Sequence, residues 1–97
     1  MFLANRVAIV TGASGALGKA IAAGLAAEGA SVVVHYHSNA VAAEELVQAL
    51  TAQGSEAVAV QADVSTAQGA ESLVKAALES FGKVDILVNN AGVAPKV

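Results

Sequence analysis

A layered α/β fold is predicted by three features of this sequence: a four-stranded parallel sheet in spatial order 3-2-1-4, with helices on both faces. Short apolar runs alternate with longer alanine-rich stretches of helical period, in the order β-α-β-α-β-α-β. Each helical stretch is closed by a glycine, at Gly29, Gly54 and Gly82. Strands joined by crossover helices must run parallel, and the crossovers are right-handed. The whole chain of 97 residues reads as one small domain.

Val7 to Val10 is continuously apolar, as a strand covered on both faces has to be. The first helix spans Ala16 to Glu28, with Leu17, Ile21, Gly24 and Leu25 as its expected buried stripe. Ser31 to Tyr36, carrying Val32, Val33 and Val34, is a second buried strand. Ser38 and Asn39 are candidate caps for a second helix, Ala40 to Gln53, whose apolar face is Ala42, Leu46, Ala49 and Leu50. In the third strand, Ala57 to Ala62, valines alternate with alanines, which places it near a sheet edge. Ser65 and Gln68 have the spacing of a capping box for the third helix. Ala70, Leu73, Val74, Ala77 and Phe81 trace its buried stripe, and Val84 to Val88 is the fourth strand.

Composition narrows the function classes. The net charge is −3, and the five Lys and Arg are scattered, which argues against a nucleic-acid surface. Cysteine is absent, so neither a disulfide framework nor a thiolate metal site is available. His35 and His37 are the only histidines and have no carboxylate cluster beside them, so no metal site is expected. No uncharged apolar run approaches the ~20 residues of a membrane span. The start, M-F-L-A-N-R, lacks the basic-then-apolar order of a leader. A soluble, cytoplasmic protein with no membrane partner is the expectation.

The stretch with chemical content is T-G-A-S-G-A-L-G, Thr11 to Gly18, between the first strand and the first helix. A glycine loop there aims backbone N–H groups and the positive end of a helix dipole at one point, which suits a pyrophosphate. Gly12 can take the tight turn, Gly15 can admit a ligand backbone, and Gly18 can let the helix approach the sheet. By itself such a triplet also fits a plain strand–helix turn. Its neighbours point further. Tyr36-His37, Asp63-Val64 and Asn90-Ala91-Gly92 also follow the carboxyl ends of strands, so four loops converge on the rim where α/β sheets bind ligands.

At these positions the sequence resembles the short-chain dehydrogenase/reductase family. Three motifs carry the resemblance: T-G-A-S-G-A-L-G at 11–18, D-V at 63–64 and N-N-A-G at 89–92. It extends over the whole chain but corresponds only to the first part of a family member, a Rossmann-like half. The resemblance implies that Gly12, Ala13, Ser14, Gly15, Leu17 and Gly18 line the pyrophosphate and adjacent ribose of a dinucleotide. It implies that Asp63 accepts from the adenine amino group, with the Val64 backbone beside that ring. It places Asn90, Ala91 and Gly92 under the adenosine ribose, bracing the central sheet. Asp63 equally suits a turn or cap, and Asn89 with Asn90 suits a strand-end turn. The family's common pattern, T-G-x-x-x-G-x-G, would put glycine at position 16. Here Ala16 stands there, and its methyl narrows the approach of a cofactor without closing it.

Cofactor choice rests on the end of the second strand. An acid there would hold a ribose 2′-OH and repel a 2′-phosphate. Tyr36, His37 and Ser38 occupy the position; none is acidic, and His37 and Ser38 can donate to a phosphate. NADP(H) is therefore favoured, with NAD(H) possible; His37 also reads as an ordinary exposed loop residue. The family's proton-transfer Ser and its Tyr-x-x-x-Lys pair have no counterpart here, since Tyr36 is the only Tyr and Ala40 follows four residues on. No catalytic residue is assigned. Two readings stand: the cofactor-binding portion of an oxidoreductase, incomplete for hydride transfer, or a non-catalytic module that self-associates through the bare edge of strand 84–88. Further chain or a partner polypeptide could supply the other half.

Overall fold

The computed structural model describes residues 2–90, so the expectations for Ala91 and Gly92 lie outside the described residues. Strands β1 (Val7–Val10), β2 (Ser31–Tyr36), β3 (Ala57–Gln61) and β4 (Ile86–Val88) form one parallel sheet in the order β3-β2-β1-β4. This is the expected topology, with β3 at one edge and the carboxyl end of every strand on one rim. Helices α1 (Ala16–Ala27), α2 (Ala40–Ala52) and α3 (Ala67–Phe81) make the crossovers.

The pleat sorts the core into two layers. Val10, Val32 and Val34 point to one face, where Ala22 of α1 and Leu46 and Leu50 of α2 cover them. Ile9 and Val33 point to the other, under Leu73 and Ala77 of α3. Both strands carry side chains that must be buried on each face, which is why their sequences show no apolar–polar alternation. Among the described residues, no helix is long and apolar enough to cross a membrane.

Several local expectations are corrected. The buried face of α1 is Gly18, Ala22 and Ala26, while Leu17 is 63% exposed, Gly24 is exposed, and Ile21 and Leu25 are half-buried. Small residues at i, i+4 and i+8 let the helix axis lie closer to the sheet than a leucine stripe would. On α2, Ala43 is buried in place of Ala49, which is exposed. On α3, Leu73 and Ala77 are buried, whereas Ala70 and Val74 are exposed. The cap of α3 moves one residue, to Thr66, whose Oγ1 accepts from Gly69 N–H at 3.0 Å. Ser65 is taken by Asp63 instead. At α2, Asn39 is the cap, and its Oδ1 accepts from Ala42 N–H at 3.1 Å.

The fourth strand begins at Ile86 rather than Val84. Asp85 still bridges to β1: its N–H donates to Val7 O and its Oδ2 accepts from Val7 N–H, both at 2.9 Å. A side-chain oxygen thus replaces the backbone acceptor at the first rung. That bond from Val7, with Lys83 and Arg6 nearby, holds the Asp85 carboxyl below the usual carboxylate range. A carboxyl lowered on folding stabilises the fold above its unfolded pKa, and the contribution is lost as pH falls through the folded value.

Candidate cofactor site

The glycine loop leaves β1 through a tight turn at Gly12, whose φ of 64° is a left-handed conformation that side chains disfavour. Both backbone groups of Gly12 are held from other strands. Its N–H donates to Nδ1 of His35 at 2.9 Å, and its carbonyl accepts from Nδ2 of Asn90 at 3.3 Å. Ala13 N–H donates to the backbone carbonyl of His35 at 2.9 Å, and Ala13 is fully buried. Thr11 ties the loop to the end of β4: its Oγ1 accepts from Asn90 N–H at 2.8 Å and lies 3.2 Å from Val88 O.

The two glycines that follow differ. A Cβ on Gly18 would stand 2.4 Å from Gly12 O and 2.7 Å from Ala13 Cα, closer than backbone atoms allow. Gly18 is glycine because the helix rests on its own loop. A Cβ on Gly15 would meet only Gly12 O, at an ordinary 3.6 Å, and Gly15 has extended φ and ψ of −82° and 167°. Nothing within the described chain requires glycine there, and the space above it is open. Gly15 also caps α1 without a side chain, whereas Asn39 and Thr66 close the other two helices. Among the described residues, no capping side chain accepts from the first-turn amides of α1. An exposed, uncapped helix start behind an open glycine fits an anionic group.

Across the rim, Asp63 closes its own turn. Its Oδ1 accepts from Ser65 N–H at 3.0 Å and from Ser65 Oγ at 2.5 Å. The Ser65 side-chain and backbone bonds, with a smaller contribution from His37, hold its carboxyl below the usual range. Asp63 is therefore an acceptor that keeps its charge. His37, Asp63 and Val64 share one cavity of about 630 Å³ with Thr11 and Asn89. Gly12, Ser14, Gly15, Leu17, Gly18, Tyr36, Ser38 and Asn90 do not line it. Ser14 and Tyr36 are half-buried; Leu17, His37 and Ser38 are exposed.

Two residues of the site escaped the sequence reading. In the sequence His35 stands beside His37 as a pair not expected to hold a metal. In the structure it is 1% exposed, and its ring spans from Gly12 to Ala62, whose carbonyl lies 2.8 Å from Nε2. The available signal was a histidine on the inward side of a valine strand, which has to find a partner for each ring nitrogen. Gly69 is the other: a Cβ there would fall 1.8 Å from the carbonyl oxygen of Asp63. Its position inside a helix, where glycine is otherwise unfavourable, was the legible clue.

The geometry matches known proteins. The family model described as short chain dehydrogenase covers residues 6–97. An oxidoreductase of Methylorubrum extorquens is 55% identical over 91 residues, and a 3-oxoacyl-[acyl-carrier-protein] reductase of Synechocystis sp. is 48% identical over 91. Each match covers 94% of this chain and 37% of the relative, so the chain spans little more than a third of the length of these proteins. A short chain dehydrogenase of Burkholderia cenocepacia, solved in complex with NADP, superposes with a TM-score of 0.91 at 42% identity, over 96% of this chain and 38% of that one. With its sheet order, its glycine loop and this family match, the chain belongs to the short-chain dehydrogenase family.

Proposed function

We propose that residues 1–97 form the NADP(H)-binding portion of a short-chain dehydrogenase/reductase-like oxidoreductase. The single observation that carries this reading is Gly15: a glycine that nothing among the described residues requires, at the uncapped start of α1. In this reading Gly12, Ala13, Ser14, Gly15, Leu17 and Gly18 hold the pyrophosphate side. Tyr36, His37 and Ser38 receive the 2′-phosphate, Asp63 and Val64 meet the adenine, and Asn90 braces the ribose side. When bound, the nicotinamide supplies hydride chemistry, and proton transfer falls to groups this chain does not contain. What the chain's own residues do is bind and orient.

NADPH fluorescence tests the reading. A saturable change is expected at submillimolar NADPH, with weaker binding of NADH; no change at about 1 mM would sink it, being an affinity too weak for a built site. Gly15→Ala is expected to leave the circular dichroism of the chain unaltered, because its methyl meets only ordinary contact. The same variant should weaken NADPH by about tenfold or more through steric loss at the phosphate.

One observation favours a second property. Among the described residues β4 pairs only with β1, and Leu87, at the end of the row Val58–Val33–Ile9–Leu87, is 61% exposed. α3 packs over β3, β2 and β1 and leaves that row's end bare. We infer self-association through this edge, as unpaired apolar strands do. Solution mass by light scattering is expected to exceed that of the 9.5 kDa chain, and Leu87→Lys to restore it; a clean wild-type monomer would end this reading.

A further inference from the structure

We propose that His35 is the positioning residue of this site: an imidazole clamp whose two ring bonds set the glycine loop and the Asp63 loop together. The proposal rests on the cofactor reading above only for its consequence in binding; the clamp itself is a property of the free chain.

The chemistry of the two partners fixes the tautomer. Gly12 N–H can only donate, so Nδ1, 2.9 Å away, carries no hydrogen. The carbonyl of Ala62 can only accept, so Nε2, at 2.8 Å, carries the ring hydrogen. One side chain therefore satisfies the Gly12 amide of the glycine loop and the last carbonyl before Asp63, across sequence separations of 23 and 27 residues. The ring is 1% exposed, so neither bond is replaced by water at no cost. The backbone of His35 adds a third tie, its carbonyl accepting from Ala13 N–H at 2.9 Å.

The same cavity is lined by His37, just past the end of β2, by Asp63, from the loop after β3, and by uncharged groups of β1, α3 and the end of β4. Asp63 is engaged by Ser65 rather than by His35, so the ring reaches that loop through the Ala62 carbonyl. A glycine loop displaced from Nδ1 would carry its phosphate-facing amides with it.

The test uses the 97-residue chain. Nitrogen-15 NMR of the free protein should show the His35 ring hydrogen on Nε2 and Gly12 N–H protected from exchange. Calorimetric titration of NADP⁺ at one pH then compares wild type with His35→Phe, which removes both bonds, and with His35→Asn, which keeps a side-chain acceptor for Gly12 N–H. His35→Phe is expected to lose Gly12 protection and to bind NADP⁺ about tenfold more weakly, and His35→Asn to restore most of both. Unchanged protection and affinity in His35→Phe, or no rescue by His35→Asn, overturns the positioning role, and hydrogen on Nδ1 overturns the clamp. A wild type with the expected tautomer that binds no NADP⁺ overturns the cofactor reading, while the clamp stands.

Discussion

Gly18→Val is expected to abolish NADPH binding by this chain and to lower its thermal midpoint, while leaving self-association in place. The first methyl alone would sit 2.4 Å from Gly12 O and 2.7 Å from Ala13 Cα. Both contacts are backbone, so no side chain can rotate away. Gly12 cannot yield cheaply either: its turn has φ of 64°, and its N–H and carbonyl are bound to His35 and Asn90. The helix must lift or the loop must open, at a cost of about 1–3 kcal/mol or more by analogy with overpacked cores. Either movement displaces the amides that would meet a phosphate, so an affinity loss of at least about 100-fold is expected. Fluorescence titration and thermal melts read the two effects separately. Gly24→Ala on the same helix is the control. A Cβ there meets nothing within 4 Å, so it should stabilise the chain by about 0.5–1 kcal/mol and leave binding unchanged. Loss of self-association together with binding in Gly18→Val would mean that the glycine loop and the β4 edge are not separate features.

Gly69→Ala carries the second large effect. Inside an exposed helix, glycine to alanine ordinarily stabilises. Here the added carbon would fall 1.8 Å from the carbonyl oxygen of Asp63 and 2.6 Å from its carbonyl carbon. That carbonyl accepts from Thr66 N–H at 3.3 Å and from Thr66 Oγ1 at 3.1 Å, and Thr66 in turn caps α3 through Gly69 N–H. One methyl therefore breaks a closed ring of turn and cap bonds. The expected result is a stability lower by about 1–3 kcal/mol for cap loss and crowding combined, read as a lower thermal midpoint. The Asp63–Ser65 turn should shift as well, which amide exchange at Ser65 would show. An unchanged or raised midpoint would mean that the first turn of α3 can slide away from Asp63.

Much of this was legible along the chain. The valine runs, the helical periods and the closing glycines Gly29, Gly54 and Gly82 are local signals, and they yielded the element order and the 3-2-1-4 sheet. So did the glycine loop, because Gly12 needs its positive φ wherever the sheet lies. The errors fall where a face had to be chosen. Leu17, Ile21, Gly24 and Leu25 form a fair apolar stripe, yet α1 buries Gly18, Ala22 and Ala26, because close approach to the loop was worth more than leucine area. Val74 reads as core by period but is exposed, because α3 turns Leu73 and Ala77 to the sheet instead.

Sequence alone thus determined the elements, their order and the four loops that meet on one rim, since each follows from bonds and periods a few residues long. Tertiary structure alone decided what holds that rim. His35 carries no local sign of its role in the sequence; its two ring partners lie 23 and 27 residues away, on loops that only the sheet brings together. Gly69 and Asp63 are six positions apart, but their crowding exists only once the turn and the helix have closed on each other. Propensity and period are properties of a segment, whereas a buried polar group is satisfied by whatever the fold places beside it.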